Sequence, residues 1–386
     1  MIVERVNSGL ARAKAKGVKL GRGNKKDSSL MKAWRLERFG GALTLEDVPV
    51  PKVRAGAVLI RIEASPLLSY LKAYVDGKLT FYNPPPVKFT PGTNGVGIID
   101  AVGQDVWHLK PGQRVVFSPH FVAGENVEDP AQILIGLTAF GAGSATMQAD
   151  WRDGALAEFA LAPVTTVTPA DGLDLLDATQ LAVLNRFIVP FGGLLRGRLA
   201  AGETLVVNGA TGAYGTAAVL LGVAMGAAHV IAAGRSATAL EGVRRAGGQR
   251  VTPVPLTGDV QTDAAALRVA ANGGAQMAFD MVGQAGDASA TLAALNSLQR
   301  GGRLVLMGSM TTPLPLSYSD IVRNSWEIIG QFMYPAGAYL RLIGLVRAGL
   351  LNISAIRPCC FTLSELPQAM EAAAKASNLE CVVVKP

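Results

Sequence analysis

Between Leu205 and Gly308 the chain alternates short, unbroken apolar runs with longer mixed stretches. The runs are Leu205-Val206-Val207, His229-Val230-Ile231-Ala232-Ala233, Gln276 to Val282 and Gly302 to Gly308. Apolar runs that end in polar or glycine residues suit parallel strands buried on both faces. Thr216 to Gly226, Ala264 to Ala271 and Ala288 to Leu298 read as intervening helices, and Ile328 to Phe332 as a candidate sixth strand. This alternation predicts an α/β fold with a doubly wound sheet. Ligands of such sheets lie beyond the strand C-termini, here near Gly209, Arg235, Val282-Gly283 and Gly308-Ser309.

Before this region the pattern is β-rich. Val58 to Ala64, Gly95 to Gly103 and Gly154 to Ala160 read as strands, and the Lys110-Pro111-Gly112 turn leads into another that ends at Phe117. Gly77 to Lys88 is rich in proline and aromatic residues. It reads either as a loop walling a cleft or as a stiff surface connection. Pro119 to Pro130 is a second candidate variable loop.

The glycine-rich turn after the first run carries the chemistry. Asn208-Gly209-Ala210-Thr211-Gly212-Ala213-Tyr214-Gly215 joins a strand to a helix, the order that suits a dinucleotide pyrophosphate. Ala210, Gly212 and Gly215 hold the three glycine places of the G-x-G-x-x-G pattern. Tyr214 is expected to pack over the pyrophosphate. An acid about 20 residues further on would bind a free ribose 2′-hydroxyl. Gly234-Arg235-Ser236 stands there instead, and an arginine with a hydroxyl suits a 2′-phosphate. The cofactor expected is NADP(H).

Length and composition narrow the rest. A chain of 386 residues, 49% apolar and 17% charged, fits two domains with ordinary cores. The net charge of +7 is confined to the start. Eight of the 36 bases and one of the 29 acids fall in residues 1–26, and the remainder carries 28 of each. A nucleic-acid role for the body of the chain loses its support. No run suited to a membrane span and no secretory leader is evident, and Cys359, Cys360 and Cys381 form no metal-ligand spacing. A reduced, cytoplasmic protein is expected.

Two resemblances follow. Met1 to Arg22 resembles the end of the long helix and the basic linker of a serine recombinase, fused ahead of a more natural start at Met31. The rest resembles the medium-chain dehydrogenase/reductase superfamily, in its zinc-independent, quinone oxidoreductase-like branch. The matching pieces are Pro91 to Gly97, Lys110 to Val115, Gly154 to Phe159, the glycine turn, Phe279 to Gly283 and Gly301 to Val305. The resemblance implies a GroES-like catalytic domain (residues 31–187 and 337–386) interrupted by a Rossmann cofactor domain (188–336), after a basic extension (1–30). It also implies a homodimer or tetramer built on the cofactor domains.

Departures from the family shape the chemistry. Zinc members carry His-Glu where Thr93-Asn94 stands, a cysteine ligand near Leu68 and a third ligand near Asn185. Zinc takes nitrogen, thiolate or carboxylate ligands. His108, His120 and His229 are widely spaced, and His120 reads as a surface histidine, with a place near the cleft as the alternative. No metal is expected. Hydride transfer then needs another partner for the substrate oxygen. Tyr70 is the first candidate, with Ser69, Thr93 and Asn94 beside it. The expected activity is NADPH-dependent reduction of a small carbonyl-conjugated substrate, a quinone or enone. A metal-free alcohol/ketone dehydrogenase and a non-catalytic NADPH-binding protein are the alternatives.

Overall fold

Leu205 and Val207 pack on one side of a parallel sheet and Val206 on the other, and all three are fully buried. That two-sided burial explains the unbroken apolar runs. The structure is a computed structural model describing residues 29–386 apart from Glu125 and Ala142. The recombinase-like stretch lies outside the described residues.

Six strands form this sheet, in the order Val251–Pro255, His229–Gly234, Thr204–Asn208, Ala275–Asp280, Leu298–Leu306 and Glu327–Gly330, all parallel. Sequence order reverses between Thr204–Asn208 and Ala275–Asp280, which opens a crevice at their C-terminal ends. The α/β fold with a Rossmann-type sheet is therefore present. Val251–Pro255 is a strand that the apolar pattern did not reveal. Pro253 and Pro255 disguise it, and prolines are tolerated there because it lies at the sheet edge. The expected helix Ala288 to Leu298 ends at Asn296, and Leu298 already begins the next strand by pairing with Ala275.

A second, seven-stranded sheet carries the β-rich half. Its central strand, Ala57–Pro66, pairs antiparallel with Gly95–Val102, Phe159–Pro163 and Glu380–Lys385. The strand expected over Gly154 to Ala160 begins only at Phe159. Residues 154–157 make isolated backbone pairings with Thr90, Pro91, Trp34 and Ala33 instead, with Gly154 so close to Gly92 that a Cβ would lie 2.1 Å from the Gly92 carbonyl oxygen.

Helix Leu184–Arg196 joins the halves and runs unbroken through residues 187 and 188. Phe187, Ile188, Phe191 and Leu194 belong to one core with Ala64, Val96 and Val116 of the first half and Leu205, Val207 and Phe279 of the second. Ala178–Arg196 is apolar and long enough to cross a membrane by composition alone, but 72% of it is buried inside the fold. Its apolar character serves that core.

Candidate functional site: a two-part cleft at the sheet crevice

Strand Thr204–Asn208 leads into Gly209, which takes φ +77°, a left-handed conformation open to glycine at little cost. The bend starts helix Ala213–Ala224, with Gly212 as its N-cap. A Cβ at Gly215 would lie 2.0 Å from the Gly209 carbonyl oxygen, so the fold itself demands glycine there. A Cβ at Gly212 would meet only that same oxygen, at 3.3 Å. Gly212 keeps space open where unpaired helix N–H groups favour a phosphate. Alanine is tolerated at position 210 because Gly209 supplies the bend one residue earlier.

Two connected hollows flank this turn. The first, about 440 Å³, is lined by Asn208, Gly209, Thr211, Gly212, Gly234, Arg235, Val282 and Gly283. Arg235 is exposed and is the one cation lining it among the described residues. Its two lining acids are engaged: Asp263 accepts the Thr257 N–H and hydroxyl and the Gly258 N–H, and Asp287 accepts the Ser289 N–H. Asn208 is buried, with neither side-chain amide atom partnered. Two expected cofactor residues lie outside both hollows. Ala210 is fully buried, and the Ser236 hydroxyl accepts the Ala239 N–H at 3.2 Å to cap the next helix.

The second hollow, about 490 Å³, joins the halves. Ser69, Tyr70, Thr93 and Asn94 line it from the β-rich side, and Gly212, Ala213, Tyr214, Gly215, Gly283, Gly308 and Ser309 from the other. The four candidates differ in readiness. Ser69 is exposed. Tyr70 lies against Tyr82, with ring centroids 5.9 Å apart and planes inclined by 22°. Burial raises the Tyr70 phenol well above the ordinary tyrosine range, so it is a neutral donor at working pH. Asn94 is committed, its amide donating to the Tyr339 hydroxyl at 2.6 Å. Thr93 is 5% exposed, and its hydroxyl has no partner among the described residues.

Phe81 and Tyr82 also line the cleft, so the Gly77-to-Lys88 segment walls it. Tyr74 does not reach it. That side chain is fully buried and its hydroxyl donates to the Leu137 carbonyl. Tyr214 lines the cleft, and its phenol is pushed up to about 12, chiefly by burial. His120 corrects the surface reading. It is half-buried, its ring edge-on to Tyr334 at 5.6 Å and within 3.0 Å of the Gln132 side-chain oxygen. Burial lowers its pKa. Phe332, Met333, Tyr334 and Tyr339 carried no functional signal in the sequence. They follow the last strand of the parallel sheet, and the tertiary fold brings Phe332 and Met333 to the cleft and Tyr334 and Tyr339 to a separate pocket, where Tyr339 accepts from Asn94.

The three positions aligned with zinc ligands meet here: Leu68, Thr93 and Asn185 line one cleft. Leucine offers no donor, and neutral hydroxyl and amide groups are outside the usual zinc set. Among the described residues no group of three or more His, Cys, Asp or Glu side chains is placed to hold a metal. The residues present do not fit a zinc ion.

Residues 54–172 match the alcohol dehydrogenase GroES-like domain, and residues 213–347 match the zinc-binding dehydrogenase family. An alcohol dehydrogenase of Moraxella sp. is 30% identical over 313 residues, 78% of this chain and 85% of that protein. The chain belongs to the zinc-binding, medium-chain alcohol dehydrogenase family. An L-threonine 3-dehydrogenase of Anaeromyxobacter dehalogenans is 27% identical over 89% of this chain and 94% of its own length. A quinone oxidoreductase of Lama guanicoe is 30% identical over 49% of this chain and 48% of its own length. A thermostable alcohol dehydrogenase from Pyrobaculum aerophilum superposes with a TM-score of 0.73 at 20% identity, over 93% of this chain and all of that one.

Proposed function

We propose that this protein is an NADP(H)-dependent oxidoreductase that reduces a small carbonyl-conjugated substrate, of the quinone or enone class, without a metal ion. The observation that carries this reading is the meeting of Leu68, Thr93 and Asn185 in one cleft beside the glycine turn. Where relatives of the zinc type hold a cation, this chain presents an apolar side chain, a hydroxyl and an amide.

NADP(H) fits the residues present. Gly212 leaves room at the helix N-terminus, Arg235 offers a fork to a 2′-phosphate, and the buried Asn208 amide, unpartnered among the described residues, belongs to the lining. The nicotinamide supplies or accepts the hydride. The protein's part is to orient the substrate oxygen and keep water away. In this reading Thr93 donates a hydrogen bond to that oxygen, with the neutral Tyr70 phenol as a second donor; the Thr93 hydroxyl, unpartnered among the described residues, supports it. Phe81, Tyr82, Phe140 and Phe332 give the cleft aromatic walls that suit a flat, conjugated substrate.

A metal-free alcohol/ketone dehydrogenase is the second reading. It is favoured by the alcohol and threonine dehydrogenases, which match over most of their length, whereas the quinone oxidoreductase matches over less than half. Both readings use the same site. Steady-state assays separate them: oxidation of NADPH by quinones and enones supports the first, and NADP⁺-dependent oxidation of secondary alcohols with no enone reduction supports the second. Tight NADPH binding without turnover on either panel would leave a non-catalytic nucleotide-binding protein.

The assembly reading is a homodimer through the cofactor domain (188–336). Strand Glu327–Gly330 ends the parallel sheet with a free edge, and helix Tyr318–Asn324 beside it buries none of its residues while exposing Tyr318 and Val322. Residues 31–187 with 337–386 form the catalytic part in this division.

A further inference from the structure

Arg186 is 3% exposed, near the start of the joining helix Leu184–Arg196. Its Nε has no partner, and one terminal nitrogen donates to the Glu380 carbonyl at 3.5 Å, a long contact. A buried guanidinium normally requires an acid and several short hydrogen bonds. The acid whose carbonyl it touches is committed elsewhere: the Glu380 carboxylate takes Arg357 and the Ser377 N–H. Among the described residues Arg186 has no ion-pair partner.

Its neighbours connect it to the dinucleotide turn. Asn185, one residue earlier, and Tyr214 of the turn both line the cleft. The Arg186 charge acts on the Tyr214 phenol and the Cys381 thiol, opposing the rise that burial causes in each. Just before Glu380, the Asn378 amide donates at 2.8 Å to the Thr216 hydroxyl, which in turn donates to the Ala210 carbonyl. Arg186 lines neither hollow itself; it adjoins Asn185 of the cleft lining and, through its long contact with Glu380, the segment whose Asn378 braces helix Ala213–Ala224.

We propose that Arg186 is the buried counter-charge for the pyrophosphate of the bound dinucleotide, a role that rests on the NADP(H) reading above. The protein holds a buried positive charge one residue behind the cleft lining, and two phosphate charges arriving at the glycine turn supply the missing anion. This separates the duties of two arginines. Arg235 reads the 2′-phosphate, present only in NADP(H). Arg186 answers the pyrophosphate, present in NAD(H) as well.

The test measures NADPH and NADH affinity by titration calorimetry, with apo melting curves, for wild type, Arg186→Met and Arg235→Ala. The expected result is that R186M weakens both dinucleotides by the same factor, about tenfold or more. R235A should weaken NADPH alone. Inorganic pyrophosphate should compete with NADH in wild type and no longer in R186M. The R186M apo protein should melt no lower than wild type, because an uncompensated buried charge has been removed. If the methionine variant fails to fold, Arg186→Gln takes the same measurements. Affinities within twofold of wild type overturn the proposal. So does weakened binding accompanied by a lowered apo melting temperature, which marks a purely structural role. Wild-type protein that binds neither dinucleotide overturns the cofactor reading, and this role with it.

Discussion

Thr93 carries a hydroxyl that the fold buries and leaves without a protein partner. Such a group costs stability in the free protein and repays it only when a ligand completes the hydrogen bond. Thr93→Val should therefore leave the melting temperature unchanged or raised. It should lower kcat/KM by about a hundredfold, the scale of one lost oxyanion donor, with NADPH affinity intact. Steady-state kinetics and a thermal melt on the same sample check both. At Arg235 the expectation concerns selectivity: Arg235→Asp should weaken NADPH about tenfold to a hundredfold while changing NADH far less. Equal loss of both would remove the 2′-phosphate argument. His120 contributes through pH. Burial holds its folded pKa below the ordinary histidine value near 6.5, so folding favours the neutral ring. The associated stability is complete above that value and is lost as pH falls through the folded pKa. His120→Gln should flatten the fall in melting temperature below about pH 6.5. Arg235 and the turn glycines were readable in the sequence because their signal is local. The gathering of Leu68, Thr93 and Asn185 became readable only through family resemblance. Phe332 and Met333 were silent, since no local pattern marks a residue that reaches a cleft from a distant part of the chain.

At the level of elements, the glycine turn separates two demands that the motif presents as one. Gly215→Ala places a methyl carbon 2.0 Å from a backbone oxygen and should destabilise the apo protein markedly, seen as a lower thermal midpoint. Gly212→Val faces one 3.3 Å contact and should fold, yet lose the dinucleotide because its branches fill the phosphate space. A valine variant that keeps wild-type NADPH affinity would show that the phosphate lies elsewhere. The parallel strands were legible because burial on both faces leaves an unbroken apolar run, as at Leu205 to Val207. Val251–Pro255 was not, because an edge strand accepts prolines that a pattern reader takes as breaks. The segment before Phe159 misled for another reason. Its glycine and alanine residues are small because backbones cross there, and small residues carry no period.

Over the whole molecule, the donor set in the cleft leads to a direct expectation. Purified protein should contain no stoichiometric zinc by elemental analysis, and prolonged chelation should leave turnover unchanged. A zinc-to-protein ratio near one, with activity lost on chelation, would reverse the metal-free reading. The core around Leu184–Arg196 bears on how such experiments are read, because it includes side chains of both halves. A variant that disturbs this helix is expected to loosen the β-rich wall and the dinucleotide wall together.

The strand Glu380–Lys385 completes a sheet begun by Ala57–Pro66, with Val384 set against Ser65. On the ribosome Ala57–Pro66 emerges long before Glu380–Lys385 does. The early half must wait with an unfilled seam while the entire intervening domain is synthesised. Nascent chains should thus acquire protease resistance in the middle segment first, and the opening segment should become resistant only once Glu380–Lys385 has emerged.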